Sequence, residues 1–339
     1  MKKSIKGNTM KLGVELKTVH FRKVPFTIFH HRYRNEESGE TVTNDECDEI
    51  DEIQLLNQYR ERFGIPFPEE IQKIRNMYGV SAAKMSEILG FGANSYRKYE
   101  AGEMPSVANG RLILAVKHPK NFIEQVEACS GFISKKEKMD LIEVAKKIEK
   151  ERKKHQFENF RYNLIYGNPE TNEFTGYSKP CKNKIAAIIG YFGESTNLFK
   201  TKLNKLLFYA DFGHYQKYGK SITGLKYSAI DYGPVPDGYD EIYGNLVKEG
   251  KIYKKYTESA DGFYGEKFFG LESLSSDLFK PEEIETLTKV IQNFKDKSSK
   301  EMVSLSHDEE AWIENEKGKE IISYQRYAFK LQHFKNNAD

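Results

Sequence analysis

The sequence predicts an α+β protein, mainly helical, with a small N-terminal β module, a helix-turn-helix domain and a mostly α C-terminal domain holding a β-hairpin element. Three observations predict it. Residues 12–34 alternate loosely between apolar and polar positions and are rich in β-branched and aromatic side chains, whereas from Asp48 apolar residues recur at helical spacing. Residues 81–102 have the layout of two short helices joined at a glycine. Beyond residue 175 the periodicity is helical again, broken only by short β-rich stretches.

Composition bounds the possibilities. At 339 residues the chain exceeds one typical domain. It is 30% charged, yet 22 Phe and 21 Tyr supply ample core material, which a disordered chain would lack. The net charge is only +3, so any nucleic-acid binding must come from a local patch. Cys47, Cys129 and Cys181 are too few and too scattered for a disulfide framework or a CxxC pair, which fits a reducing compartment. The basic start MKKSIKGNTMKLG has no apolar stretch behind it, and KIAAIIGYF is too short to span a bilayer. A soluble, cytoplasmic protein with no membrane partner is expected.

In chain order, residues 12–34 read as two strands, NEESGE as a turn and TVTNDE as a short third strand. Ile50, Ile53, Leu56 and Tyr59 then mark a helix that Gly64 stops before the rigid corner IPFP. Pro68 to Lys117 reads as a run of short helices. A long basic helix follows, with Met139, Ile142, Ala145 and Ile148 as a narrow stripe. Its lysines suit either a solvated face or a coupling or dimerisation helix near DNA. NPETNEFTGYSKP reads as a linker, and residues 183–218 as helical. ITGLKYSAI reads as a strand, YGPVPD as a stiff corner, and KIYKKY with EKFFGL as a hairpin turning at ESADGFYG. Helices return from PEEIETLTKVIQNF to the end. The expected divisions are 1–64, 65–130, 131–174 and 175–339.

Two sites stand out. In the first, Ser81 can cap a helix whose Ala82, Ala83, Met85, Ile88 and Leu89 face inward, and Gly90 supplies a turn with positive φ. Tyr96 and Tyr99 of the second helix point to the core, which leaves Asn94, Ser95, Arg97 and Lys98 outward. Those positions meet base edges when such a helix enters the major groove, where Asn suits adenine and Arg or Lys suits guanine or phosphate. An ordinary helical hairpin would share this spacing.

In the second, LFKTKLNKLLFYADFGHYQKYGKSITGLKYSAIDYGPVPDGYDEIY, Leu203, Leu206, Leu207 and Ala210 form a helix face, and Asp211 and His214 neighbour each other at i and i+3. Asp211, His214, Asp231, His307, Asp308 and Glu309 could serve acid–base or metal chemistry. No catalytic motif frames them, however, and His214 suits a structural pair with Asp211 equally well. SHDEEAW reads as a helix start with Ser306 as N-cap and Glu309 closing a capping box. No catalytic residue, cofactor or metal is assigned. Tyr227, Tyr232, Pro234, Tyr239 and Trp312 are candidate partner contacts, because aromatic residues on rigid corners make binding anchors; core packing is the competing role.

The ending RKYEAGEMP resembles the Arg-x-aromatic-Glu-x-Gly close of Cro/repressor-type helix-turn-helix domains. More narrowly, IPFPEEIQKIRNMYGVSAAKMSEILGFGANSYRKYEAGEMPS resembles the DNA-binding half of MqsA-type antitoxins. That family reads its operator with an Asn and an Arg, to which Asn94 and Lys98, with Arg97 beside it, correspond. Its N-terminal zinc module carries two CxxC pairs, which are absent here. His20, His30, His31 and Cys47 remain, and adjacent histidines on a strand point to opposite faces, so a metal-free module is expected.

KLNKLLFYADFGHYQKYGKSITGLKYSAIDYGPVP, LSHDEEAW and ISYQRYA resemble, in order over about residues 177–330, the Panacea or SocA-like domain. That resemblance implies a mainly helical, non-catalytic domain that neutralises a cognate toxin. Together the resemblances imply an antitoxin of a type II toxin-antitoxin system. It would bind its protein toxin with the C-terminal domain and its double-stranded operator DNA as a homodimer. The alternatives are a ligand-responsive repressor without a toxin, or a proteolytic adaptor for one.

Overall fold

The alternating N-terminal residues form a four-stranded antiparallel sheet of β1 (Lys2–Ile5), β2 (Asn8–Phe21), β3 (Val24–Asn35) and β4 (Thr41–Val42), in that order across the sheet. The computed structural model describes residues 2–5, 8–129, 131, 133–167, 170–258, 262, 264–271 and 274–334, with backbone only for residues 2–5, 8 and 9. Two strands and a short third were expected, and β1 is the addition. Its four residues are too few for alternation to show. Part of the ESADGFYG turn and the first two residues of NPETNEFTGYSKP lie outside the described residues.

Helix α1 (Asp45–Phe63) begins acidic and ends basic, as the helix dipole favours. It runs beside the open edge of β3. Gln54 accepts from Phe29 N at 2.8 Å and donates to Phe29 O at 2.9 Å, while Asp51 accepts from His31 N at 3.1 Å. Two side chains thus stand where a neighbouring strand would, and they close the sheet edge against stray pairing.

The helices that follow are α2 (Pro68–Met77), α3 (Ala82–Ile88), α4 (Ser95–Glu100), α5 (Val107–Ala115), α6 (Pro119–Ala128), α7 (Lys135–Lys154) and α8 (Gln156–Tyr166). Next come α9 (Lys182–Ser195) and α10 (Lys200–Tyr218), the hairpin β5 (Tyr227–Ile230) and β6 (Gly233–Pro236), and α11 (Tyr239–Lys248). A second hairpin, β7 (Ile252–Glu258) and β8 (Tyr264–Gly270), precedes α12 (Pro281–Phe294), α13 (Ser299–His307), α14 (Glu310–Ile313) and α15 (Tyr324–Tyr327). The fold is α+β and mainly helical, as the sequence predicts.

Packing divides the chain into two compact units. One is Leu56–Arg161; the other joins Met1–Leu55 to Tyr162–Asp339. The sequence suggested four consecutive pieces, but the N-terminal sheet shares a unit with the C-terminal half. Within that unit the rings of Phe29 and His31 each lie 5.2 Å from Phe329, and Gln325 donates to Gln54 at 3.0 Å.

In the unit Leu56–Arg161 the core gathers one face of each short helix. Ile71, Met85, Tyr96, Ile113, Phe122 and Val126 are fully buried, and Tyr78 stacks on Phe122 at 3.6 Å. In the other unit α10 is the axis, buried from Lys202 to Tyr215. Helices α12 and α13 and strands β6 and β8 pack around it. Helix α9 meets β8 glycine to glycine, since a Cβ on Gly270 would lie 2.2 Å from Gly190 Cα.

Two expectations change here. Only Tyr227–Ile230 of ITGLKYSAI is a strand, because the backbone of Ile222 and Thr223 turns inward to bond Asp211. The GPVP corner is itself the strand β6, paired from Tyr227↔Pro236 to Ile230↔Gly233.

Candidate functional site

Helices α3 and α4 are two short helices joined through a glycine turn. Ser81 caps α3 by accepting from Lys84 N at 3.1 Å, and Gly90 turns the chain at φ 67°. Met85, Ile88 and Leu89 are buried as expected, whereas Ala83 is exposed and the inward polar residue is Ser86. Its hydroxyl accepts from Tyr96 N at 3.1 Å, which ties the start of α4 to α3. Tyr96 reaches further and donates to Ile71 O at 2.9 Å.

The far end of α4 is held by Glu100. Arg75 of α2 grips its carboxylate at 2.6 Å and donates to Val80 O at 2.8 Å, so one guanidinium joins three segments. The Glu in RKYEAG therefore positions the helix. Asn94, Arg97 and Lys98 are exposed and Ser95 is half-buried. Arg97 donates to Asn94 Oδ1 at 3.2 Å, while Lys98 lies 3.6 Å from Glu103 with both side chains in solvent. These contacts are weak enough for a phosphate or base edge to replace.

In the unit built on α10, the polar residues of that helix face inward. Asp211 is fully buried and accepts from Ile222 N, Thr223 N, the Thr223 hydroxyl and Tyr227 OH, the last at 2.7 Å. Burial pushes its carboxyl up to about 6, and the four donors oppose that shift. The expected Asp211–His214 pair is not formed. His214 turns to Thr286 at 3.0 Å, and burial, with Lys184, Lys280 and Lys217 adding to it, pushes its imidazole down to about 3. Lys202 donates to Thr196 and to Lys295 O, both at 2.7 Å. Lys205 donates to Pro234 O at 3.0 Å, and burial holds its amine down at about 7.

The segment SHDEEAW is built differently from the expected helix start. Ser306 lies inside α13 and donates to Val303 O at 2.9 Å; α14 begins later, with Glu309 at its N-cap. Glu309 is buried and accepts from Tyr209 OH, Gln332 N and His333 N at 3.2, 2.9 and 3.1 Å, anchoring the last described residues. His307 stacks on Trp312 at 3.8 Å, and Trp312 donates to Ile230 O at 2.7 Å. Asp308 meets His333 Nε2 at 3.1 Å and Asp231 pairs with Lys319 at 3.1 Å in solvent, while the buried Nε2 of His307 has no hydrogen-bond partner among the described residues.

Of the candidate partner contacts, Tyr227 and Pro234 are buried, so they brace the β5–β6 hairpin from within. Tyr232, at the hairpin turn, is 69% exposed, and Tyr239 and Trp312 are half-buried beyond it. The N-terminal histidines bring another correction. His30 Nδ1 and His31 Nδ1 both reach Asp51, at 2.5 and 2.7 Å. The carboxylate sits at the open edge of β3, where rings from either face can curl in. Burial pushes the Cys47 thiol up, and among the described residues no group of His, Cys, Asp and Glu is arranged to hold a metal. Sequence reasoning missed Asp51, Gln54, Arg75, Ser86 and Lys205; only Glu100 carried a signal, in the ending of its motif.

Among the described residues no helix is long and apolar enough to cross a membrane. No curated protein and no solved structure matches the chain. Residues 203–313, which run from α10 through both hairpins to α14, match the family model described as antitoxin SocA-like, Panacea domain.

Proposed function

We propose that the protein is the antitoxin of a type II toxin-antitoxin system, which binds and neutralises a cognate protein toxin through the unit built on α10. The observation that carries the reading is the match of residues 203–313 to an antitoxin family. The contact surface is the outer side of the β5–β6 hairpin, where exposed Tyr232 is the anchor, Trp312 is bonded to Ile230 beside the turn, and half-buried Tyr239 follows the hairpin's other end. Tyr227 and Pro234 stiffen the hairpin, so little entropy is lost when it docks. The reading assigns no catalysis, cofactor or metal.

The helix-turn-helix binds operator DNA for autoregulation, with Asn94 and Lys98 at base edges and Ser95 and Arg97 at bases or phosphates. A cytoplasmic homodimer would present two such helices to a palindromic site. Toxin and operator are then linked, and saturating toxin changes operator affinity reciprocally. The test is toxin capture by full-length protein with Tyr232→Ala. An interface anchor loses about 2 kcal/mol or more on truncation. Unaltered capture would move the toxin surface elsewhere.

A further inference from the structure

The tip of the β2–β3 ribbon adopts a conformation that its residues disfavour. A two-residue turn joining twisted antiparallel strands takes positive φ at both central positions, which is why Asn-Gly is the favoured pair. Here those positions hold Arg22 and Lys23, at φ 49° and 68°. Both are exposed, and the Arg22 guanidinium lies 5.4 Å from the centre of the Phe21 ring. Long side chains with a Cβ are strained in this region. A requirement of folding alone would be met better by other residues.

Charge at the tip is as one-sided as its backbone is strained. Residues 16–29, LKTVHFRKVPFTIF, carry Lys17, His20, Arg22 and Lys23 and no carboxylate, in a chain that balances 53 Lys and Arg against 50 Asp and Glu. All four are exposed, as are Thr18 and Thr27, which face each other across the ribbon. A two-stranded ribbon is narrow enough to lie in or along a DNA groove. A run of cations free of acids matches a polyphosphate better than a protein surface, which mixes its charges.

We infer that this tip is a basic arm that contacts the phosphate backbone of duplex DNA and supplies sequence-independent affinity. The inference rests on the DNA-binding reading given above. Its contacts are with phosphates, so they hold the protein on any duplex and carry little sequence information.

The test replaces the tip by the turn the ribbon prefers. Arg22→Asn/Lys23→Gly in the full-length protein removes two charges and relieves the strain, so Tm should rise by a few degrees. Two probes are used: the duplex from immediately upstream of the protein's own gene, and a random-sequence duplex of equal length. Affinity for both should fall, by about tenfold at moderate salt, and the slope of log K against log salt should become shallower by about 2. Asn94→Ala should weaken only the upstream duplex, which separates failure of the arm from failure of the helix. Unchanged affinity and slope on both duplexes overturn the arm. So does loss of toxin capture with DNA binding intact, which would assign the tip to a protein. If wild-type protein binds neither duplex, the arm and the DNA-binding reading fall together. Should the first variant melt lower than wild type, Arg22→Gln/Lys23→Gln decides by the same salt slope.

Discussion

Asp211 shows how a single buried carboxylate can organise a domain. Four donors from three residues of the following loop and strand converge on it. Asp211→Ala would leave all four unpaired in a dry site, at a cost of about 3–5 kcal/mol by urea unfolding. Tyr227→Phe removes one donor and should cost only about 1 kcal/mol. A loss below that for the alanine variant would contradict the hub.

Lys205 makes a prediction with a definite sign. Its amine is held down at about 7, against an ordinary value near 10.5. The unfolded chain therefore binds the proton that the folded chain has shed, and stability contributed by this residue falls as pH drops from 10.5 through 7. Lys205→Met should flatten the rise in stability between pH 7 and 9.5 and should be most stabilising at the acid end. Lys202, held down at about 8, leaves part of the rise in place. Unfolding free energies of both proteins at pH 7 and 9 decide it, and equal slopes would overturn the account.

The sequence singles out Asp211 and His214 as neighbours on one helix, but not their partners, and it gives no sign of Lys202 or Lys205, because helical periodicity cannot show groups supplied elsewhere in the chain. For Lys202 the partner is Lys295, and for His214 it is Thr286.

At the scale of elements, local chemistry was a better guide. Helical spacing and Gly64 marked α1, Ser81 and Gly90 bounded α3, alternation found β2 and β3, and the turn-like ESADGFYG between two strand-like pieces found the β7–β8 ribbon. The failures have physical causes. Prolines hid β6, since a residue without an N–H is unusual in a strand. The inward pull of Asp211 shortened β5. The helix-turn-helix depends on a contact outside its two helices, the grip of Arg75 on Glu100. Glu100→Ala should cost about 1–2 kcal/mol of stability and weaken operator binding, although Glu100 itself faces Arg75. Gel-shift titration against thermal melting checks this, and full operator affinity in a destabilised protein would show that α4 is held by its core alone.

At the scale of the whole molecule, chain order misled. The sequence places boundaries at residues 64, 130 and 174, yet the first 55 residues pack with the last half of the chain. No periodicity reveals a return of that kind. A fragment beginning near residue 170 would lack Phe29, His31 and Gln54, exposing the Phe329 ring and leaving the Gln325 Nε2 donor without its bond to Gln54. It should be proteolysed far faster than the full chain, and equal resistance would show that the N-terminal sheet is dispensable to the C-terminal fold.

The central claim is that this chain neutralises a toxin, and growth tests it most directly. The open reading frame adjacent to this gene is induced alone, with the full-length protein, and with its Tyr232→Ala variant. The account predicts that the neighbour alone stops growth, the full-length protein restores it, and the variant restores it poorly. A neighbour that is harmless by itself, or one whose toxicity the full-length protein leaves untouched, would contradict it.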